Sequence, residues 1–225
     1  MDMEISIAST QHLNFAQQIC DLMAEAAKQR GTGIAKRSPE YIEQKINQGK
    51  AVIALKGDLL AGFCYIESWD THKYVANSGL IVHPDFRKMG LAKKIKKAVF
   101  DLSRQKFPEA KIFGITTSLA VMKINSDLGY KPVTFSELTT DEDFWKGCQS
   151  CANYDILTRT NRSHCLCTGM LYLGNNVKKN QPATKVSRWE KFKRFLKKDQ
   201  NTKGAVSFSR ALGRFSGSML KFKLK

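Results

Sequence analysis

Residues 79–100, Gly-Leu-Ile-Val-His-Pro-Asp-Phe-Arg-Lys-Met-Gly-Leu-Ala-Lys-Lys-Ile-Lys-Lys-Ala-Val-Phe, constrain the fold more than any other stretch of the chain. The opening Gly-Leu-Ile-Val reads as a strand. The closing basic segment carries its apolar residues at helical spacing. Arg87, Lys88, Met89, Gly90, Leu91 and Ala92 form the junction. There the first N–H groups of the helix have no intrahelical partner, and the helix dipole adds positive character, so the turn is an anion site. Gly90 removes a Cβ that would hold a phosphate away from the backbone. Ala92 keeps the next turn small, and Arg87 and Lys88 add countercharge. These features suit a pyrophosphate. Neither the three-glycine Rossmann spacing nor a P-loop Gly-Lys-Ser/Thr is present.

The flanking segments predict the rest of the domain. Met3–Ser9 alternates as a strand, Thr10 caps a helix to Arg30, and Ser38-Pro39 opens a second helix to about Gln48. Residues 50–68 read as two strands joined at Gly57-Asp58, and 73–83 as a fourth strand. The helix from Gly90 stops near Pro108. A strand over 110–118, a helix over 119–128 and a strand over 130–138 follow. The predicted order is β-α-α-β-β-β-α-β-α-β, an α/β (α+β) fold with a mixed, mostly antiparallel sheet flanked by helices.

Val82-His83-Pro84 followed by Arg87-Lys88-Met89-Gly90-Leu91-Ala92 resembles the acyl-CoA-binding motif of the GCN5-related N-acetyltransferases, the GNAT superfamily. The resemblance extends over residues 3–137, because the order of elements also fits. It implies an acyltransferase that moves an acyl group, most simply acetyl, from CoA to an amine. Arg87 through Ala92 would hold the pyrophosphate, and the backbone of Ile81 and Val82 the pantetheine arm and thioester carbonyl. Gly129-Tyr130 matches the family's closing Gly-aromatic pair. Asn125 stands where the family usually carries a general-acid tyrosine. Asn cannot donate and recover a proton, so a binding role toward CoA is expected of it. The fourth strand offers Asn77 and Ser78 but no carboxylate, which leaves Glu67 as candidate base, with His72, His83 or a water chain as alternatives.

Arg30, Lys36 and Arg37 cluster in the loop between the first two helices, where the resemblance puts the acceptor. Arg forks match carboxylates, so an amino acid fits, although a merely solvated basic loop explains the same residues. This loop and the Cys-bearing segment resemble a bacterial subgroup linked to glutamate N-acylation in arginine biosynthesis. A protein or peptide N-acetyltransferase and a non-catalytic CoA- or RNA-binding module are the competing readings.

Cys148-x2-Cys151 and Cys165-x-Cys167 fit the two halves of a structural zinc site, or reduced thiols packed in a hairpin, or a redox pair. The opening residues lack a signal peptide's pattern and no apolar run spans a membrane, so a cytoplasmic protein is expected. The net charge of +17 is uneven: residues 1–170 carry +4 and 171–225 carry +13. A catalytic domain over 1–170, with the Cys-rich segment at 145–170, a linker over 171–186 and a basic amphipathic tail over 187–225 follow from this division. The tail suits docking on the domain, a partner protein, RNA or an anionic membrane surface, and self-association stays open.

Overall fold

A computed structural model describes residues 2–30, 35–69 and 72–174, with only the backbone of Arg30. The chain divides into two units, Met1–Lys178 and Lys179–Lys225. The expected tail lies outside the described residues, as do residues 175–186 of the expected linker.

Seven strands form one sheet: β1 (Met3–Ile7), β2 (Ala51–Lys56), β3 (Leu59–Ser68), β4 (Tyr74–Val82), β5 (Lys111–Thr116), β6 (Lys131–Val133) and β7 (Thr168–Tyr172). Their spatial order is β1-β2-β3-β4-β5-β7-β6. Every neighbouring pair is antiparallel except β4 and β5. This is the mixed sheet expected from the sequence.

Helices cover both faces. α1 (Ala16–Arg30) and α2 (Pro39–Asn47) supply Ile19, Ile42 and Ile46 to a core with Ile53 and Phe63. α3 (Leu91–Lys106) packs Ile95 and Val99 on the opposite face, against Val52, Ile66 and Ile112. Val52 and Ile53 thus point to different layers, as the period of two requires. Ser38 caps α2 through its side chain, accepting from the Tyr41 N–H, with Pro39 at the first helical position as expected.

The sequence reading and the structure differ in three places. The first predicted helix begins as a 3-10 helix over Thr10–Phe15, capped by Ser9, before α1 starts at Ala16. The strand expected over 130–138 ends at Val133, because Thr134 and Glu137 form a capping box that starts another 3-10 turn. The last strand, β7, lies across the expected domain boundary at 170 and continues to Tyr172.

Between β6 and β7 the chain leaves the sheet for residues 134–167. This insertion contains α5 (Glu142–Lys146) and α6 (Tyr154–Arg159). It is anchored by Phe135, Leu138, Trp145 and Leu157, which bury against Phe113 and Leu171. Trp145 also donates its indole N–H to the Thr139 carbonyl at 3.0 Å. Four of the six cysteines belong to this insertion.

Candidate active site

β4 and β5 pair only over Tyr74–Ala76 and Lys111–Phe113. Beyond Ala76 the strands share no ladder, and the two edges open into a cleft. A bulge in β4 accentuates this: Phe63 faces Ile81 but Tyr65 faces Ser78, so two steps of β3 span three of β4. Gly79 sits in the bulge at φ +66°, where a Cβ would stand 2.3 Å from the Tyr65 ring. The bulge therefore requires glycine. Asn77 through Ile81 line the opening from one side, Gly114, Ile115 and Thr116 from the other, in a cavity of about 640 Å³.

The turn expected to hold a pyrophosphate lies past the end of β4. Gly90 is the N-cap of α3 in the left-handed conformation, φ +75°, and a Cβ there would meet no protein atom within 4 Å. Lys88 is also left-handed, at φ 63°. The Arg87 guanidinium is tied back, donating to the Val82 carbonyl at 3.2 Å and to Gln29 Oε1 at 3.3 Å. Leu91 is buried in the α3 core and Met89 is exposed. The turn thus offers a helix N-terminus without a side chain at its mouth, which fits a phosphate group.

Glu67 sits at the cavity's other end, and its carboxylate is fully engaged. Tyr41 donates its hydroxyl to Oε1, Lys45 Nζ lies 2.8 Å from Oε2, and Arg37 Nη2 lies 3.6 Å from Oε1. Arg37 Nε donates to the Tyr65 hydroxyl at 2.9 Å. Burial and the neighbouring carboxylate push the Tyr41 phenol well above its ordinary range. Both carboxylate oxygens are thus occupied, and Glu67 braces Arg37 and Lys45 in this arrangement. Glu67→Gln is expected to lower stability by roughly 2 kcal/mol through the uncompensated Lys45 and Arg37. Urea unfolding of the variant checks it; an unchanged midpoint would show the ion pairs to be inert.

Asn125, on α4 (Leu119–Asp127), is 1% exposed, and its Oδ1 is buried without a hydrogen-bond partner. It lines the cleft together with Ile81, Glu67, Lys36 and Arg37. The structure thus joins residues expected from separate parts of the sequence. Val82 and the turn residues 87–92 stand outside the cavity's lining, as do His72 and His83. The side chain of Arg30 lies outside the described residues.

Sequence reasoning missed two groups. Tyr41 and Lys45 stand four apart on α2, a spacing that aligns their side chains along one helix face, with Arg37 in the loop just before it. Lys96 is hidden beneath β4. It is fully buried, donates to Asn77 Oδ1 at 3.3 Å, and stacks over the Tyr130 ring at 5.2 Å. Tyr130 donates to the same oxygen at 2.9 Å, and Asn77 Nδ2 donates to Ser103 at 2.7 Å. Desolvation lowers the Lys96 ammonium to about 8.

The four insertion cysteines also line the cavity. Burial, reinforced by the neighbouring thiols, pushes Cys148 up to about 11 and Cys167 up to about 12. Among the described residues no three His, Cys, Asp or Glu side chains form a group that could hold a metal ion. If the thiols close on zinc, protein prepared without chelators should carry about one metal per chain, and Cys148→Ser should lower it together with the melting temperature. Metal-free protein by elemental analysis would remove zinc from the account.

The Acetyltransferase (GNAT) family profile matches residues 16–120. No curated protein matches the chain in sequence. Among solved structures, N-acetylglutamate synthase from Neisseria gonorrhoeae, complexed with coenzyme A and N-acetyl-glutamate, is similar with TM-score 0.55 and 17% identity. The match covers 76% of this chain but only 35% of that one. A Salmonella typhimurium protein solved with its cofactor acetyl-CoA is similar with TM-score 0.53 and 14% identity, over 77% of this chain and 94% of that one. The ribosomal-protein-S18-alanine N-acetyltransferase of Escherichia coli gives 0.50 and 13%, over 79% and 98%. Their acceptors range from glutamate to a protein, so the shared fold does not identify an acceptor. Among the described residues no helix is long and apolar enough to cross a membrane. The parted β4–β5 pair, the glycine turn opening α3 and the family match over residues 16–120 agree on the fold of the GNAT acetyltransferases.

Proposed function

We propose that this chain is an acyl-CoA-dependent N-acyltransferase that transfers acetyl to the α-amine of a small, carboxylate-bearing amino acid. The observation that carries the reading is the parting of β4 and β5 after Ala76. It frees the β4 backbone edge for an extended acyl-pantetheine arm, with the Gly90 turn at one end and Arg37 at the other. Asn125 Oδ1 is then available to a pantetheine N–H, and the freed β4 backbone to the thioester carbonyl. The reaction needs the amine held against that carbonyl and the carbonyl polarised, and positioning of this kind supplies much of a barrier reduction. No side chain is assigned as a dedicated acid, since Asn125 cannot serve as one.

Acceptor binding falls to Arg37 and Lys45. Arg37→Ala should raise the acceptor KM about tenfold, the loss of one charge-assisted contact, and leave the acetyl-CoA KM nearly unchanged. Steady-state kinetics on an amino-acid panel would test this. Turnover of peptides alone, or none of any amine by protein that binds acetyl-CoA, would refute the reading. Glutamate, the acceptor expected from the sequence, draws its structural support from Arg37 and from a likeness that carries the fold only. A place in arginine biosynthesis depends on that acceptor.

A further inference from the structure

The acceptor end of the cleft has two unlike walls. On the α2–β3 side stand Arg37, Tyr41, Lys45 and Glu67. The Arg37 and Lys45 side chains are only 17% and 9% exposed, and together they face the single carboxylate of Glu67. One positive charge is left over in a poorly hydrated place. Of the other cations lining the cavity, Lys36 is exposed, Lys146 is paired with Asp143 at 2.7 Å on the rim, and Lys96 is buried with its Nζ donating to Asn77 Oδ1. The second wall comes from the insertion and Trp69, and it adjoins the first at Gly147, where a Cβ would stand 3.6 Å from Arg37 Nη2. It presents Phe135, Phe144, Tyr154 and Leu157 with the insertion's cysteines between them. Trp69 and Phe144 meet edge to face at 5.5 Å, so this wall is a built aromatic surface. One buried polar atom on it has no hydrogen-bond partner. Asn153 is 7% exposed, lines the cavity, and its Nδ2 is buried without a partner.

Resting on the acyltransferase reading above, we infer that the acceptor is an α-amino acid with one carboxylate and a large apolar or aromatic side chain. The carboxylate faces Arg37 and Lys45, and the side chain lies against the wall of the insertion. One surplus charge matches one carboxylate. A second carboxylate, as in glutamate, would be desolvated against Trp69 and Phe144 with a single amide donor, Asn153, in reach. An unpaired buried carboxylate is strongly disfavoured, whereas an apolar side chain gains from the same burial. The Asn153 amide fits an oxygen on the acceptor better than bare hydrocarbon, so tyrosine belongs in the comparison beside phenylalanine.

The test is acetyl transfer by the full chain from acetyl-CoA to phenylalanine, tyrosine, leucine, alanine and glutamate, with products identified by mass. At least one of the first three should exceed glutamate and alanine by roughly tenfold in kcat/KM, since a well-buried side chain is worth ~1–3 kcal/mol. Phenylalaninamide, which lacks the carboxylate, should be a poorer acceptor than phenylalanine. Preference for glutamate or alanine would overturn the inference and leave the acyltransferase reading in place. Inertness of every amino acid would overturn both. Tyr154→Lys provides a second measure that does not depend on how much of the variant is folded. The ratio of kcat/KM for phenylalanine over glutamate should fall about tenfold within that variant. An unchanged ratio would count against this wall as the side-chain site.

Discussion

Gly90→Glu is expected to abolish acyl-CoA binding, with the acetyl-CoA Kd rising at least ~100-fold in protein that remains folded. The size of the effect comes from two separable causes. Gly90 holds φ +75° as the N-cap of α3, so any other residue strains the backbone by about 1 kcal/mol. That alone costs less than tenfold. A glutamate also brings a negative charge to a helix N-terminus that would otherwise face phosphates, where the backbone N–H groups would bind the new carboxylate instead. Because a Cβ at Gly90 meets no protein atom within 4 Å, the substitution should not disturb packing. Gly90→Ala then isolates the strain and should weaken binding only a fewfold. Titration calorimetry on both variants decides the point. Wild-type affinity in folded Gly90→Glu would mean that the pyrophosphate does not sit at this turn.

The same turn explains why the fold could be read so far from the sequence. Local chemistry wrote its punctuation: glycine at Gly90, serine and proline at Ser38-Pro39, and a tight turn at Gly57-Asp58. Such signals act over a few residues and survive translation into structure. What escaped was decided by distant contacts. β7 is a short run, with Gly169, Met170 and Leu171 buried on both faces, so it lacks the alternation that marks a half-exposed strand. Its partners in β5 and β6 are supplied from elsewhere in the chain. The insertion that carries the cysteines was legible only as a Cys-rich segment of the domain, without its place between β6 and β7, for the same reason. Glu67 was legible as a carboxylate near the acceptor, but the two cations and phenol that hold it come from the loop before α2 and from α2 itself. Those partners make Glu67 a brace for Arg37 and Lys45, a part that its position in the sequence did not announce. Lys96 stands among several lysines of α3 in sequence, and nothing local separates the buried one from Lys93, Lys94 and Lys97, which are exposed.

Lys96 gives the second large effect, on stability. Lys96→Met should make the protein more stable near pH 7, and the gain should disappear in alkaline solution. The ammonium falls from its ordinary 10.5 to about 8 because burial desolvates it, with only Asn77 Oδ1 as a direct hydrogen-bond partner. At 1.36 kcal/mol per decade of proton affinity, that drop corresponds to a penalty of about 3 kcal/mol for folding with the charge in place. Below pH 8 both folded and unfolded chains hold the proton, so the penalty is present in full. Between about 8 and 10.5 the unfolded chain holds more protons than the folded one, and stability rises with pH through that window. Methionine removes the charge and fills similar volume, while Tyr130 continues to donate to Asn77 Oδ1. Against the relieved penalty stands one lost hydrogen bond worth ~1 kcal/mol and the stacking over Tyr130, which leaves a net gain of about 1–2 kcal/mol at pH 7. Urea unfolding of wild type and variant at pH 7 and at pH 10, compared within each pH, cancels every other titrating group. Equal differences at the two pH values would show that Lys96 is not desolvated in the folded state. A variant less stable at pH 7 would show that its hydrogen bond to Asn77 outweighs the cost of burying the charge.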